Sequence, residues 1–529
     1  MDGKPSTIAS LHGLVAAAHP LAAAAGARLL ASGGNAFDAA AATAAALNVV
    51  EPFMSGLAGL GMASCYIADE GRVRTLDFIT RVPAKFTTGP FSKREQLYRS
   101  PLACAAPGNL AGWCELARSH GRKRLPEIFA PAIALARDGH PLINFPGTQF
   151  RQYAATLATL PFFADWQANY LGLGSGEPGP GYLLRQPDLA RTLEVIAIEG
   201  PDHLYRGALG RQFVAHLASL GGCLTLQDLA TVSPVWLDPV SVPYRGLKVH
   251  TLPPPCEGFQ MLLSLRILDG FDLHSTERNG VEHLDWVWRA CRLAAGARIR
   301  TNKPGPATLA RLLGEESVLA LRERVRDASP VEGPTEQWEP DPAKEHTTSF
   351  SVADRDGNVV AVTQSLGAAF GCGAVVPGTG ICLNNFLYWG ELDPAGTNPL
   401  VPGTDLATPM APIIATRSDR PVLALGTPGS YGICQTQAQA LVQHVDFGLR
   451  LQDAIEEPRA RLWNGRRVEA EARLPEATVA GLKERGHEVE LGPEWTMVVG
   501  GIQGIAIDPE TKVATGAADP RREGFVAVA

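Results

Sequence analysis

The feature that most constrains this chain is an abrupt change of character near residue 346. Residues 328–346 are polar and rich in proline, with the sequence ASPVEGPTEQWEPDPAKEH, which is typical of an exposed linker. Two strand-like segments follow at once, residues 347–354 and 359–365, joined by Arg355-Asp356-Gly357-Asn358. The pattern predicts a helix-rich larger part, residues 1–346, and a smaller part, residues 347–529, that begins with a β-hairpin.

The predicted hairpin brings two hydroxyl side chains together at its open end. A turn centred on Asp356-Gly357 places Thr347 opposite Ser365 or Leu366. If the chain were cut before Thr347, the new α-amine would have a pKa of about 7.7–8 and could act as a base near neutral pH. Thr347 would then supply both nucleophile and base, with Ser365 as a hydrogen-bond partner. An ordinary first strand rich in hydroxyl residues is the alternative.

A glycine-rich turn follows one of the later apolar strand segments. Residues 426–433 have the sequence GTPGSYGI and precede a helical segment. Free backbone N–H groups at such a turn suit an oxyanion. A plain strand-to-helix connection is the alternative. The turn is not a Walker motif, because it lacks the Gly-Lys-Ser/Thr ending.

The remaining periodicity predicts a mixed α/β (α+β) chain. Residues 16–49 form a predicted alanine-rich helix that breaks at Gly33-Gly34, with Asn35 capping its second half. Residues 141–187, rich in Pro, Gly and aromatic side chains, show little periodicity. Further strands are predicted at residues 63–68, 73–78, 381–383, 413–415 and 422–425, and helices at 110–117, 125–137, 189–199, 211–220, 260–268, 281–298, 309–327, 435–446 and 451–457.

Charge and hydropathy exclude several partners. The net charge is −7 and no basic patch stands out, which argues against nucleic acid and anionic membrane surfaces as partners. The most apolar stretch, residues 14–50, is interrupted by polar residues and Pro20, and the amino terminus lacks the pattern of a signal peptide. We therefore expect no membrane span and a cytoplasmic location.

The cysteine spacing and the positions of possible metal ligands indicate no cofactor. The chain has nine cysteines, an odd number without CxxC spacing, so neither a disulfide framework nor a zinc site is expected. No group of His, Cys, Asp and Glu has metal-ligand spacing. We expect no metal and no organic cofactor.

Several separated motifs occur along nearly the whole chain: residues 33–40 (GGNAFDAA), 50–52 (VEP), 55–59 (SGLAG), 107–112, 131–133, 253–258, 354–358, 380–385, 426–429 and 458–459. In this order they resemble the γ-glutamyltransferase family of N-terminal-nucleophile hydrolases. The resemblance implies a four-layered αββα sandwich, made as one precursor that cuts itself into a large subunit, residues 1–346, and a small subunit, residues 347–529.

The resemblance assigns roles to four residues. Thr347 matches the family's nucleophile and new amino terminus, and Ser365 matches its second catalytic hydroxyl. Gly429 and Ser430 match the Gly-Gly pair whose N–H groups form the oxyanion hole. The resemblance thus implies that the catalytic residues are kept.

The substrate-binding motifs of the family are not kept. The arginine that grips the substrate α-carboxylate is replaced by Ile79, although Arg81 could substitute if the strand continues. A solvent-exposed or ion-paired Arg81 is the alternative. The segment that reads the α-amine contains Phe386 and Trp389, and the Ser-Ser pair becomes Thr408-Pro409. These departures predict a shifted acyl specificity, as in the family's oxamate amidohydrolases and cephalosporin acylase-like enzymes.

The leading hypothesis is a self-processing amidohydrolase that acts on a small-molecule amide, with the two subunits of one precursor as partners. An ordinary γ-glutamyltransferase or glutathione hydrolase is the first alternative. A non-catalytic binding protein on the same fold is the second. A nucleotide-binding α/β protein is a weaker hypothesis, because Gly33-Gly34-Asn35 lacks the GxGxxG spacing.

Overall fold

The computed structural model describes residues 7–172, 177–327, 329, 331 and 346–529. Among these residues the strands are β1 (Ile8–Ser10), β2 (Gly13–Ala17), β3 (Leu60–Ile67), β4 (Arg72–Asp77), β5 (His140–Pro141), β6 (Leu183–Leu184), β7 (Val235–Leu237), β8 (Val240–Tyr244), β9 (Leu247–Thr251), β10 (His346–Asp354), β11 (Val359–Gly367), β12 (Val375–Val376), β13 (Ile381–Cys382), β14 (Ile413–Arg417), β15 (Arg420–Gly426), β16 (Ala460–Leu462), β17 (Arg467–Ala470), β18 (Glu488–Leu491), β19 (Gln503–Ile507), β20 (Ala514–Ala518) and β21 (Phe525–Val528).

The helices in the same part of the chain are α1 (Pro20–Ala31), α2 (Ala36–Val50), α3 (Asn109–His120), α4 (Leu125–Asp138), α5 (Asn144–Leu157), α6 (Phe163–Tyr170), α7 (Pro187–Glu199), α8 (Asp202–Tyr205), α9 (Ala208–Ser219), α10 (Leu226–Ala230), α11 (Phe259–Leu268), α12 (Val281–Arg300), α13 (Pro306–Leu313), α14 (Glu315–Arg326), α15 (Ile433–Val445), α16 (Leu451–Glu456) and α17 (Glu476–Glu484).

Two seven-stranded antiparallel sheets form the centre of the described structure. The first has the strand order β21-β2-β10-β11-β3-β4-β7, and the second β1-β20-β19-β15-β14-β9-β8. Each sheet combines strands from both sides of residue 346. The hairpin β10–β11 is central in the first sheet, between β2 and β3, so the smaller part of the chain is built into the larger one.

The packing gives the four layers αββα that the resemblance implies. Helices α1, α2, α3, α4 and α7 cover the outer face of the first sheet, and α11, α12 and α15 cover the second. Between the sheets lie mostly small or branched side chains, such as Ala16, Ala361 and Ala424. Strand β10 alternates accordingly: Phe350 and Val352 belong to the helix-covered core, whereas the Ser351 hydroxyl donates to the Gln503 carbonyl of the opposite sheet.

The predicted hairpin, the pair β3–β4 and the cap at Asn35 are confirmed. The Asn35 side chain accepts hydrogen bonds from the N–H groups of Phe37 and Asp38, and the Asp38 carboxylate accepts from the Asn35 N–H, which is a capping box.

Two predictions of secondary structure are wrong, and one stretch for which the sequence predicted no element contains helices. Residues 16 and 17 are the last two residues of strand β2, not part of a helix. The helix begins only at Pro20, with His19 as its N-cap. Residues 141–187 contain helices α5 and α6, whose aromatic side chains face a common core rather than a regular stripe. The single helix predicted at 309–327 is two helices, which separate at Gly314.

Candidate active site

Thr347 lies at an irregularity in the central hairpin. His346 pairs with Gly367 and Thr348 pairs with Gln364, so the single residue Thr347 faces both Ser365 and Leu366. The register confirms the predicted neighbourhood of Thr347 and Ser365. A bulge of this kind redirects the side chains around it, and here it lies at the predicted cleavage point.

The Ser365 hydroxyl is aimed at the peptide bond between residues 346 and 347. Its Oγ donates to the carbonyl oxygen of His346 at 2.5 Å and accepts from the Gly367 N–H at 2.8 Å. The Gly367 N–H therefore leaves the hydroxyl proton free to point at the carbonyl. A donor in this position polarises the carbonyl and would stabilise negative charge that develops on its oxygen.

Two charged residues hold the strand on the other side of Thr347. Arg522 Nη1 donates to the Thr347 carbonyl at 3.2 Å, and the Thr348 hydroxyl donates to Glu51 Oε2 at 2.8 Å. Burial raises the pKa of Glu51 to about 7, against the opposing effects of the Thr348 hydrogen bond and the Arg522 charge. Sequence reasoning gave neither residue a role, although Glu51 belongs to one of the matched motifs.

His346 is buried, with 1% of its surface exposed, so the prediction that it ends an exposed linker is wrong. Its Nε2 lies 2.9 Å from the Tyr153 hydroxyl and 3.3 Å from Gln149 Oε1. Burial, followed by the charges of Arg522 and Arg99, holds the pKa of this imidazole well below its usual range. Residues 328, 330 and 332–345 of the predicted linker lie outside the described residues.

The glycine-rich turn contains two consecutive residues in the left-handed region of backbone conformation. Gly429 and Ser430 both have positive φ, at 128° and 53°. The Gly429 carbonyl accepts from the Gly432 N–H at 2.8 Å and from Arg461 Nη1 at 2.6 Å. Because a trans peptide points its C=O and N–H in opposite directions, this grip turns the Ser430 N–H away from Arg461. Arg461 was not singled out from the sequence.

The turn and the Thr347 strand are linked through one glycine pair. A Cβ on Gly429 would lie 3.6 Å from Gly500, and the Gly501 N–H donates to Thr427 Oγ1 at 3.1 Å. Arg522, which holds the Thr347 carbonyl, packs so closely on Gly501 that a Cβ there would lie 2.7 Å from its Cδ. The predicted oxyanion turn is thus connected to the backbone of the predicted nucleophile through Gly501 and Arg522.

Phe386 and Trp389 lie in a buried aromatic cluster beside that turn. Both belong to the 3₁₀ segment Phe386–Trp389, and the Trp389 ring lies 6.0 Å from the ring of Tyr431, which follows Ser430. Thr408 is also buried. Its carbonyl accepts from the Glu257 N–H at 2.9 Å, and its hydroxyl has no hydrogen-bond partner among the described residues.

Arg81 lies outside this cluster. Strand β4 ends at Asp77, so the condition under which Arg81 would share the face of Ile79 is not met. Arg81 pairs with Asp405 at 3.0 Å and its side chain is 72% exposed, which is the alternative of an ion-paired surface arginine. Among the described contacts, none joins Arg81 to Phe386, Trp389 or Thr408.

Arg94 is a third cation, after Arg522 and Arg461, to which the sequence gave no role. Its guanidinium lies 4.0 Å above the Tyr388 ring and 6.0 Å from Trp389, and it donates to the Gly390 carbonyl at 3.2 Å. Burial lowers its pKa. Arg94 lies 15 residues after Ile79 in a loop region, and nothing in the sequence indicates that it contacts residues 386–389.

The described residues contain no group of three or more His, Cys, Asp or Glu side chains placed to hold a metal ion. No helix within the same ranges combines the length and apolarity needed to cross a bilayer.

Comparisons with known proteins agree along the full chain. A sequence model of the family described as Gamma-glutamyltranspeptidase matches residues 22–529. The chain is 35% identical to an "Acylase ACY 1 proenzyme" of Pseudomonas sp. (strain SE83), over 97% of this chain and 92% of that protein. It is 30% identical to an "Oxamate amidohydrolase proenzyme" of Klebsiella pneumoniae, with 99% of both chains covered.

A solved structure shows the same fold. The crystal structure of cephalosporin acylase from Bacillus halodurans superposes with a TM-score of 0.91 and 30% identity, covering 100% of this chain and 98% of that one. The matched family, the proenzyme relatives and the αββα layers agree with the resemblance of the motifs. The chain therefore belongs to the gamma-glutamyltranspeptidase family, enzymes of the N-terminal-nucleophile fold that are made as proenzymes and act on amides.

Proposed function

We propose that this chain cuts itself between His346 and Thr347 and that the processed enzyme hydrolyses the amide of a small acyl group other than γ-glutamyl. The observation that carries the proposal is the hydrogen bond from Ser365 Oγ to the His346 carbonyl, at the bulge that contains Thr347. Other buried hydroxyls of the sheets also donate to backbone carbonyls, as Ser351 does to Gln503, but this one donates to the carbonyl of the peptide bond that Thr347 would attack.

The cleavage chemistry follows from these atoms. Thr347 Oγ attacks the His346 carbonyl carbon, while Ser365 stabilises the charge on the carbonyl oxygen. The C–N bond then breaks and the hydroxyl proton ends on the Thr347 nitrogen, which leaves an ester. Water hydrolyses that ester to give a carboxylate on His346 and a free amine and hydroxyl on Thr347.

Turnover uses the same hydroxyl with its new base. The Thr347 amine, with a pKa of about 7.7–8, takes the hydroxyl proton as Oγ attacks the substrate carbonyl. The N–H groups of Gly429 and Ser430 bind the oxyanion, and the proton passes to the leaving amine. Water then hydrolyses the acyl-enzyme. The short path from the turn to Thr347 through Gly501 and Arg522 supports this assignment.

The acyl group is inferred from what the site lacks. Ile79 stands where the family's α-carboxylate arginine is expected, and Trp389 stands where an acidic α-amine reader is expected. The buried Arg94 beside Trp389 is our candidate partner for a substrate carboxylate. A small carboxylate-bearing amide such as oxamate fits a cation set among aromatic rings, and relatives named acylase and oxamate amidohydrolase support a non-glutamyl substrate.

An ordinary γ-glutamyl activity is the second candidate, favoured by the matched family itself. A charge-assisted hydrogen bond contributes about 1.5–3 kcal/mol, so losing two of them lowers kcat/KM by roughly 10²–10⁴. The test compares γ-glutamyl-p-nitroanilide, with and without glycylglycine, against oxamate and other small amides. We expect slow γ-glutamyl turnover without stimulation by glycylglycine. Efficient, glycylglycine-stimulated turnover would instead establish the ordinary activity.

A further inference from the structure

The residue on the acyl side of the proposed cleavage point is held by its side chain as well as by its carbonyl. The His346 imidazole is buried, with Nε2 2.9 Å from the Tyr153 hydroxyl and 3.3 Å from Gln149 Oε1. The Tyr153 ring meets the imidazole edge to face at 5.1 Å. A polar linker sequence gives no reason for such a pocket.

The two holding residues share one rigid support. Gln149 and Tyr153 are four residues apart on α5, so they lie on the same face of that helix. Helix α5 is fixed in the aromatic core around Phe370, where the Phe150 and Phe370 rings are 5.2 Å apart. The two pocket residues, Gln149 and Tyr153, belong to the larger part of the chain, whereas Thr347 belongs to the smaller part.

We propose that Tyr153 and Gln149 are positioning residues for precursor cleavage, which fix the His346 side chain so that its carbonyl carbon stays presented to Thr347 Oγ. The inference rests on the proposed self-cleavage. The side chain and the carbonyl of His346 both branch from its Cα region, and Ser365 already fixes the carbonyl oxygen. Fixing both ends removes rotation about residue 346, and orientation of reacting groups accelerates an intramolecular attack.

The neutral imidazole suits this pocket. Burial and the charges of Arg522 and Arg99 hold its pKa well below the usual range, which favours the neutral ring. With hydrogen on Nε2 it donates to the two oxygens that face it, the Tyr153 hydroxyl and Gln149 Oε1. A glutamine at position 346 could offer an N–H at a similar reach, whereas an alanine could not.

The pocket acts on the precursor alone. Once the peptide bond is cut, the carbonyl carbon of His346 belongs to the carboxyl end of the large subunit and is no longer attached to Thr347. Tyr153 and Gln149 then touch no reacting atom of turnover. Their loss should slow maturation and leave kcat of the matured site unchanged, a separation that a general loss of stability would not produce.

The test follows freshly translated precursor on denaturing gels over time. We expect Tyr153→Phe to slow cleavage roughly 2- to 10-fold and His346→Ala at least as much, the range expected for one lost hydrogen bond. His346→Gln should stay within about twofold of wild type. Adding Tyr153→Phe to His346→Ala should cause no further loss, because the contact is already gone. Tyr170→Phe removes a hydroxyl from the same aromatic core and is the matched control.

The outcomes separate this inference from the proposed function. Wild-type cleavage in both Tyr153→Phe and His346→Ala, with normal processing at Thr347, overturns the positioning role alone. Equal loss of kcat in the fully matured variants also overturns it. Cleavage that persists in Thr347→Ala overturns the proposed function first. If Tyr153→Phe does not fold, the comparison of His346→Gln with His346→Ala decides: similar rates contradict the inference.

Discussion

The Ser365 hydroxyl donates to the carbonyl of His346 across the hairpin, at 2.5 Å, and Thr347, the residue after His346, faces Ser365. The hydroxyl is thus directed at the peptide bond that we propose is cut, rather than along the sheet. The Gly367 N–H donates to Ser365 Oγ, so the Ser365 proton already points at the His346 carbonyl before any reaction begins.

We predict that Ser365→Ala slows precursor cleavage about 10²-fold, the effect of losing one donor to a developing oxyanion. Its effect on turnover should be smaller than that of losing Thr347, because Ser365 orients and polarises rather than attacks. Ser351→Ala is the control, since that hydroxyl bonds to Gln503 on the other sheet. A Ser365→Ala precursor that matures at the wild-type rate would show that the hydrogen bond is only structural.

Arg461 should affect turnover through the oxyanion turn. Arg461→Met removes the donor to the Gly429 carbonyl, so the Ser430 N–H loses its fixed direction, and kcat should fall about 10- to 100-fold with little change in KM. Arg467→Met is the matched control, because Arg467 also lies over the Trp463 ring, at 5.6 Å, without a described contact to the turn. Steady-state kinetics of the two processed variants make the comparison, and equal kcat values would count against the assigned turn.

Glu51 should make stability depend on pH. Its pKa is raised by burial from 4.5 to about 7, so the folded chain binds this proton more tightly than the unfolded chain. Its contribution is most favourable below the unfolded pKa and is lost as pH rises toward about 7. Between the unfolded pKa and about pH 7, the unfolding free energy should fall by about 3 kcal/mol if Glu51 titrates independently of other groups.

The matching experiment uses uncut Thr347→Ala precursor, in which residues 346 and 347 remain joined. Denaturant unfolding at about pH 4.5 and about pH 8 should show a smaller fall in unfolding free energy for Thr347→Ala/Glu51→Gln than for Thr347→Ala alone. The glutamine can still accept from Thr348. An unchanged pH dependence would mean that folding does not raise the pKa of Glu51.

The hairpin and its neighbourhood were predictable because local rules fix them. The turn at Asp356-Gly357 and the alternation of apolar residues set the register, which brings Ser365 to Thr347. The first-strand hydroxyls and the turn were therefore enough to predict that Thr347 and Ser365 face each other, and their catalytic roles stay predictions.

Contacts made across the fold were beyond the same reasoning. Arg461, Arg522 and Glu51 reach the site from distant segments, and no periodicity records which backbone atom a long side chain will contact. The burial of His346 was missed because composition predicts a linker, whereas the pocket is supplied by α5, itself hidden by an aperiodic aromatic stretch. The sequence left two alternatives open for Arg81, and the structure shows the ion-paired surface arginine, because β4 ends at Asp77.

The amino terminus of the small subunit tests the proposed self-cleavage most directly. Amino-terminal sequencing of the smaller band from purified wild-type protein should read Thr-Thr-Ser-Phe, which begins at Thr347, and the Thr347→Ala protein should remain one uncut chain. A small subunit that begins at any other residue, or a Thr347→Ala chain that still separates into two bands, would contradict Thr347 as the nucleophile of its own release.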